Sequence, residues 1–342
     1  MKIKNLVMIL TLGAATISCA DKQESKTNYA DLTKQYAKVQ LTSDISHLSD
    51  NEKQMLNYLY EVGNIMDDIF WTQQFGGDKE TFLNSIKDKD ARLFAEINYG
   101  PWNHFDGLAS FLPEYGEMPV GAGFYPADMT KEEFEAWDDP NKTSLYTLIK
   151  RDENGKLQSV WYHEAYAEQI QKAADLLLKA ADLAGDKEFA DYLRLRSKAL
   201  LTDEYFESDM AWMDVRNNNV DFVVGPIENY VDALYGYKAA HEAFILIKDH
   251  AWSKQLAHYA ELLPELQTQL PVAPEYKAEK PGADADLAVY DAVFYGGDCN
   301  MAGKTIAINL PNDEQVQLQK GTRKLQLKNA MKAKFDNILV PI

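Results

Sequence analysis

Cysteine is almost missing from this sequence: 342 residues hold two, Cys19 and Cys299. A disulfide framework is excluded, and the fold must be held by its core. Histidine is scarce too. The six are His47, His104, His163, His241, His250 and His258, and the closest pair, His250 and His258, is eight residues apart. No His-Glu-x-x-His occurs, and no pair stands at the helical spacing of zinc ligands. His163-Glu164 and His241-Glu242 begin the pattern without completing it, so these histidines read as surface or hydrogen-bonded core residues. Basic charge is in deficit. Lys+Arg 35 against Asp+Glu 53 gives a net charge of −18, which repels phosphate backbones and excludes nucleic acid as the expected partner. No apolar run is long enough to span a bilayer, and there is no internal repeat or low-complexity stretch.

What is present suffices for a core. Hydrophobic residues make up 46% and aromatics 11%. That rules out wholesale disorder and a collagen-like chain. The length suits two domains or one large one.

The N-terminus reads as a targeting segment. Lys2 and Lys4 form a positive start, and Leu6 to Ala15 is an apolar stretch too short to cross a membrane. Thr16-Ile17-Ser18-Cys19 resembles the bacterial lipoprotein signal, in which the cysteine becomes the new N-terminus and carries lipid. Residues 1–18 are thus expected to be a lipoprotein signal peptide, Cys19 the lipidated residue, and 19–42 a tether passing into structure. This places the protein in a bacterial cell envelope, lipid-anchored, facing the periplasm or on the outer membrane.

Helix and strand signals are mixed along the body. Ser49-Asp50-Asn51-Glu52 precedes an apolar stripe at Met55, Leu56, Leu59, Val62 and Ile65. Residues 92–129 read as an ordered, loop-rich segment, and Thr130 to Glu133 as a capping box opening a short helix. Tyr146–Lys150 and Lys156–Tyr162 flank Asp152-Glu153-Asn154-Gly155, which predicts a hairpin. Helices are expected near 163–184, 187–201 and 251–263, and strands at Val220–Val224, Leu287–Tyr295 and Lys304–Ile308. Residues 313–336 read as one basic amphipathic helix. Many helices with scattered strands and no βαβ alternation give an α+β fold.

Few local patterns carry chemistry. Gly121-Ala122-Gly123 and Gly296-Gly297-Asp298 read as turn and loop signals. Cys299 reads as a buried free thiol, with no local base to mark it as a nucleophile. The stretch Gly225-Pro226-Ile227-Glu228-Asn229-Tyr230 to Phe244 differs. It packs a carboxylate, amides and tyrosines between two β-prone runs. Glu228, just after a strand and a Gly-Pro turn, suits a cationic group and suits a capped loop equally.

Gly225 to Tyr230, continuing through Tyr237-Lys238-Ala239-Ala240-His241-Glu242-Ala243-Phe244, resembles a signature of the dipeptidyl peptidase III family of zinc metallopeptidases, in its bacterial lipoprotein-like branch. Asn309-Leu310-Pro311-Asn312 resembles that family's Asn-x-Pro-Asn segment. Tyr99-Gly100-Pro101-Trp102, Phe124-Tyr125-Pro126 and Lys320-Gly321-Thr322-Arg323 are similar to the same branch. The resemblance runs from about residue 35 to the end.

The resemblance implies a cleft between a lobe with a small β-barrel or mixed sheet and a mostly helical lobe. It implies a zinc-dependent hydrolase that releases dipeptides from peptides with a free N-terminus. Glu228 and Tyr230 would bind the substrate ammonium, Glu242 would shape that end of the cleft, and Asn309 and Asn312 would hold the peptide backbone. The strand Thr305–Ile308 would accept the substrate as an added strand. The family's zinc helix would follow Ile342, so no zinc ligand and no catalytic residue transfers onto this chain. Region 43–342 is therefore expected to be the substrate-binding lobe with part of a second helical lobe. Zinc is expected for the complete enzyme and none is held by this chain alone. The apolar Phe335, Ile338 and Leu339 near the end favour an incomplete protein over a natural truncation. The alternatives are a membrane-tethered peptide-binding lipoprotein without catalysis, and a decayed inactive product.

Overall fold

A computed structural model describes residues 27–277 and 286–342. The expected signal peptide and Cys19 lie outside the described residues. Of the expected tether, Tyr29–Thr33 is a short helix. Tyr29 rests edge-on against Phe111 and Tyr36 against Phe94. The chain therefore lies on the body from Tyr29 onward.

The core is a mixed sheet covered by helices. Two short hairpins, β1 (Trp102–Asn103) with β2 (Ala109–Ser110) and β3 (Thr147–Arg151) with β4 (Leu157–Trp161), stand apart from it. The five remaining strands are β5 (Val220–Glu228), β6 (Ala240–Lys248), β7 (Asp286–Gly297), β8 (Ala307–Leu310) and β9 (Arg323–Leu327). Their order is β5-β6-β7-β9-β8. Only the β7–β9 pairing is parallel. Every residue of β6 is buried, as expected of a strand covered on both faces. The expected α+β class holds, and the sheet is mixed, with β5 and β8 as its outer strands.

The helix Asp50–Phe75 runs across β6 and β7. Its start is a full capping box: Ser49 accepts from the Glu52 N–H, and the Glu52 carboxylate accepts from the Ser49 N–H. Close approach to the sheet depends on Gly296, where a Cβ would lie 2.9 Å from the Gly63 carbonyl oxygen. Helix Ala167–Leu183 packs on this long helix, and Lys187–Thr202 packs on Ala167–Leu183. One cluster of buried apolar residues includes Met55 and Leu59, Leu177, and Phe222 and Ile245 of the sheet.

Two expectations need correction. Residues 313–336 are not one helix: Glu314–Lys320 and Lys328–Lys334 are helical, and β9 lies between them. Lys-Gly at 320–321 ends the first helix, with Gly321 at φ +74°, and the alternation of Arg323, Leu325 and Leu327 then points inward at period two. The strand expected at Lys304–Ile308 begins only at Ala307.

Candidate amine-binding site

The site is built where β5 ends. Pro226 has no N–H for the ladder, and the register between β5 and β6 shifts between Pro226 and Glu228. The resulting bulge turns Glu228 out at the rim of the sheet. From the other outer strand, Asn312 reaches across just beyond β8. Its Nδ2 donates to Glu228 Oε2 at 3.2 Å and to the Ile227 carbonyl at 3.3 Å.

The loop after Glu228 is folded around one carboxylate. Asp232, buried, accepts at Oδ1 from the N–H groups of Leu234 and Tyr235, and at Oδ2 from Tyr125 Oη and the N–H groups of Tyr237 and Lys238. Asn229 Nδ2 adds a bond to the Gly236 carbonyl at 2.6 Å. This leaves Tyr230 standing in solvent beside Glu228, 79% exposed. Tyr237 and Lys238 lead directly into β6, which carries Glu242.

Electrostatics mark the site. Burial raises the Glu228 carboxyl above its ordinary range, with hydrogen bonds from Asn312 and Tyr230 pulling it back down. Glu242 is fully buried, and burial together with the charges of Asp298 and Glu228 pushes its carboxyl well up. Burial and the Glu228 charge push Asp298 up to about 7. The Glu228 charge thus adds to burial in raising the proton affinity of both Glu242 and Asp298. An arriving ammonium would relieve that repulsion while supplying charge-assisted hydrogen bonds.

Of the five residues singled out from the sequence, Glu228, Tyr230, Glu242 and Asn312 come together. Asn309 is exposed on β8, paired in register with Lys324, and among the described residues its side chain makes no hydrogen bond to the other four. Asp298 was missed. It sits on the loop after β7, seventy residues beyond Glu228, and Gly296-Gly297 signals only a turn. Gly297 is at φ +74°, and a Cβ there would lie 2.2 Å from the His241 carbonyl oxygen. The loop is welded to the long helix as well. Asp67 Oδ1 accepts from the Gly297 N–H at 2.8 Å and from the Tyr99 hydroxyl, to which Asn300 Nδ2 donates at 2.6 Å.

Cys299, beside Asp298, is buried and free. Burial and the neighbouring Glu242 and Asp298 charges push its thiol well up, which opposes a nucleophilic role. His241 is fully buried; burial takes it down to about 3, and its Nδ1 is 3.0 Å from Gln73 Nε2. His163 pairs with Asp203 at 2.8 Å. Among the described residues no three of His, Cys, Asp and Glu come together so as to hold a metal ion. The residues described here therefore do not fit a zinc ion.

The sequence model of peptidase family M49 matches residues 136–340, more than half of the chain. A solved dipeptidyl peptidase III (DPP III) from Caldithrix abyssi superimposes with TM-score 0.84 at 38% identity, covering 90% of this chain and 60% of that one. The dipeptidyl-peptidase III of Corallococcus sp. strain EGB gives 0.82 at 34%, covering 92% and 60%. Nudix hydrolase 3 of Arabidopsis thaliana is 32% identical over 90% of this chain and 47% of its own length. The chain thus spans about half of that plant protein and somewhat more of the two solved structures. With the α+β fold, the rim at Glu228 and the match over residues 136–340 taken together, this chain belongs to peptidase family M49.

Proposed function

We propose that this chain recognises the free amino terminus of a peptide, as the substrate-binding part of a zinc-dependent dipeptidyl peptidase. The observation that carries the reading is the Glu228 carboxylate, raised on a bulge, held by Asn312 and flanked by exposed Tyr230. A carboxylate with a phenol oxygen beside it accepts two of the three N–H donors of an ammonium. Family membership supports dipeptide release as the activity. β8 is an outer strand, so its free side suits a peptide laid alongside it. The lipoprotein-like start at Cys19 supports tethering to a membrane in the same protein.

The test is calorimetric titration of the chain with one short peptide in free and N-acetylated forms. The free form is expected to bind and the acetylated form to bind at least tenfold more weakly. Glu228→Gln should weaken the free form and spare the acetylated one. Equal weakening of both would sink the ammonium role.

A further inference from the structure

A cavity of roughly 110 Å³ separates the amine-binding rim from two helices behind it. Pro226 and Ile227 line it from the end of β5, and Leu310 and Asn312 from the end of β8 and just beyond. Across from them stand Arg196 of helix Lys187–Thr202, Asp209 of helix Phe206–Trp212, and Tyr205 just before that second helix. Close packing therefore does not by itself fix the two strand ends here.

The polar cluster across the cavity supplies what packing leaves out. Arg196 and Tyr205 are 6% and 4% exposed. A guanidinium so far from water is costly unless it is paired and firmly placed. Arg196 Nη2 donates to Asp209 Oδ1, and the guanidinium stands over the Tyr192 and Tyr205 rings, 5.4 and 5.3 Å from their centres. Arg196 Nε has no hydrogen-bond partner among the described residues, so the carboxylate and the two rings hold the plane.

That plane bears on β5. Gly225 is at φ +133°, and a Cβ there would lie 3.4 Å from Tyr205 Cε1 and 3.5 Å from Arg196 Nη1. Tyr192 Oη donates to the Phe222 carbonyl at 2.7 Å. The cluster thus grips β5 at two points just before the bulge that turns Glu228 out. Helix Phe206–Trp212 is tied to the other half of the rim as well. Lys320, at the end of the helix that follows Asn312, donates to the Met210 carbonyl at 3.1 Å and pairs with Asp214 at 2.6 Å.

We propose that Arg196, held by Asp209, is a positioning residue for the amine-binding rim: it fixes β5 at Gly225 and so sets where the Glu228 carboxylate stands relative to Asn312. This deepens the amine reading of Glu228 and rests on it. A charged contact loses its selectivity when its partner group is free to wander by more than about 0.5 Å.

Two variants of the full chain test it. Arg196→Lys keeps the charge for Asp209 and loses the plane between the rings. Arg196→Met combined with Asp209→Leu removes both charges, so neither is left buried alone and folding is preserved. Each is titrated by calorimetry with one short peptide in free and N-acetylated forms, beside a thermal melt. Both variants should weaken the free form roughly five- to tenfold and leave the acetylated form unchanged. An unchanged ratio between the two forms overturns the proposal, whether or not Tm falls, because a merely structural role weakens both alike. NMR of the Asn312 side-chain amide, without peptide, is the second readout. Its resonance should shift in both variants as the bond to Glu228 loosens, and an unmoved resonance overturns the proposal. If the unaltered chain binds both peptide forms equally, the amine reading fails by itself, and the Asn312 resonance still decides whether Arg196 places the rim.

Discussion

Glu228 ends one outer strand of the sheet, Asn312 lies two residues beyond the other, and the two are joined by a single side-chain amide, Nδ2 to Oε2 at 3.2 Å. The same nitrogen donates to the Ile227 carbonyl. One residue therefore fixes the carboxylate's direction and ties the end of β8 to the end of β5. No backbone ladder does this among the described residues.

Replacing that amide separates the two roles. Asn312→Ala should cost about 1 kcal/mol of stability, since the bonds are at an exposed edge. Its effect on affinity for a free amino terminus should be larger, several-fold, because Glu228 loses a donor that favours its ionised form. Thermal melting beside peptide titration checks both. A large drop in Tm with unchanged affinity would make Asn312 a stitch only.

Peptide affinity should depend on pH in the direction set by the carboxyl groups. Glu228, Glu242 and Asp298 are all raised, Asp298 to about 7. Lowering pH through neutrality protonates Asp298 and should weaken binding of a cationic peptide. An ordinary exposed carboxylate would show this only near pH 4. Titration in a pH series, with Asp298→Asn flattening the curve, is the check.

The stability of the free chain should run the opposite way. A carboxyl raised in the folded state binds its proton more tightly than in the unfolded chain, so its contribution falls as pH rises from the unfolded value to the folded one. For Asp298 that window runs from about 4 to about 7. Tm measured across it should decline, and Glu242→Gln, which removes another carboxyl raised by burial and by the Asp298 and Glu228 charges, should make the decline shallower. A Tm that rises steadily through this window in both proteins would contradict the raised carboxyl groups.

Gly297→Ala should be severe. The new Cβ would meet the His241 carbonyl oxygen at 2.2 Å and Glu242 Cα at 3.0 Å, at a backbone φ of +74°. Strain and displacement together predict a loss of about 2 kcal/mol or more, read as several degrees of Tm, and loss of peptide binding.

At the far end of β5, Asp221 and Arg323 form a pair at 2.8 Å with neither side chain exposed to solvent. The Trp212 indole N–H and the Tyr290 hydroxyl donate to the same carboxylate. Asp221→Ala breaks this buried pair and should cost about 3–5 kcal/mol. Urea denaturation measures it.

Much of the helical body was legible because its signals are local. Ser49 with Glu52 marks a helix start that the structure shows as a complete capping box, and Asn154-Gly155 marks the β3–β4 turn, with Gly155 at φ +78°. β9 was missed because Arg323 to Leu327 is short, and its inward residues are also spaced acceptably for the basic helix read through it. Its strand state comes from parallel pairing with β7, more than thirty residues away. The site was half legible for the same reason. Glu228 and Tyr230 are neighbours in one motif, whereas Asp298 joins them only through the Gly297 contact with β6 and the Asp67 anchor.

The Asp232-centred loop has a kinetic meaning. With four backbone N–H groups and a tyrosine hydroxyl already bonded to one carboxylate, this segment keeps its shape before any peptide arrives. Little ordering remains to be done on encounter. Arrival rates should then be nearly the same for peptides with free and blocked ends, and the discrimination should lie in how long each one stays.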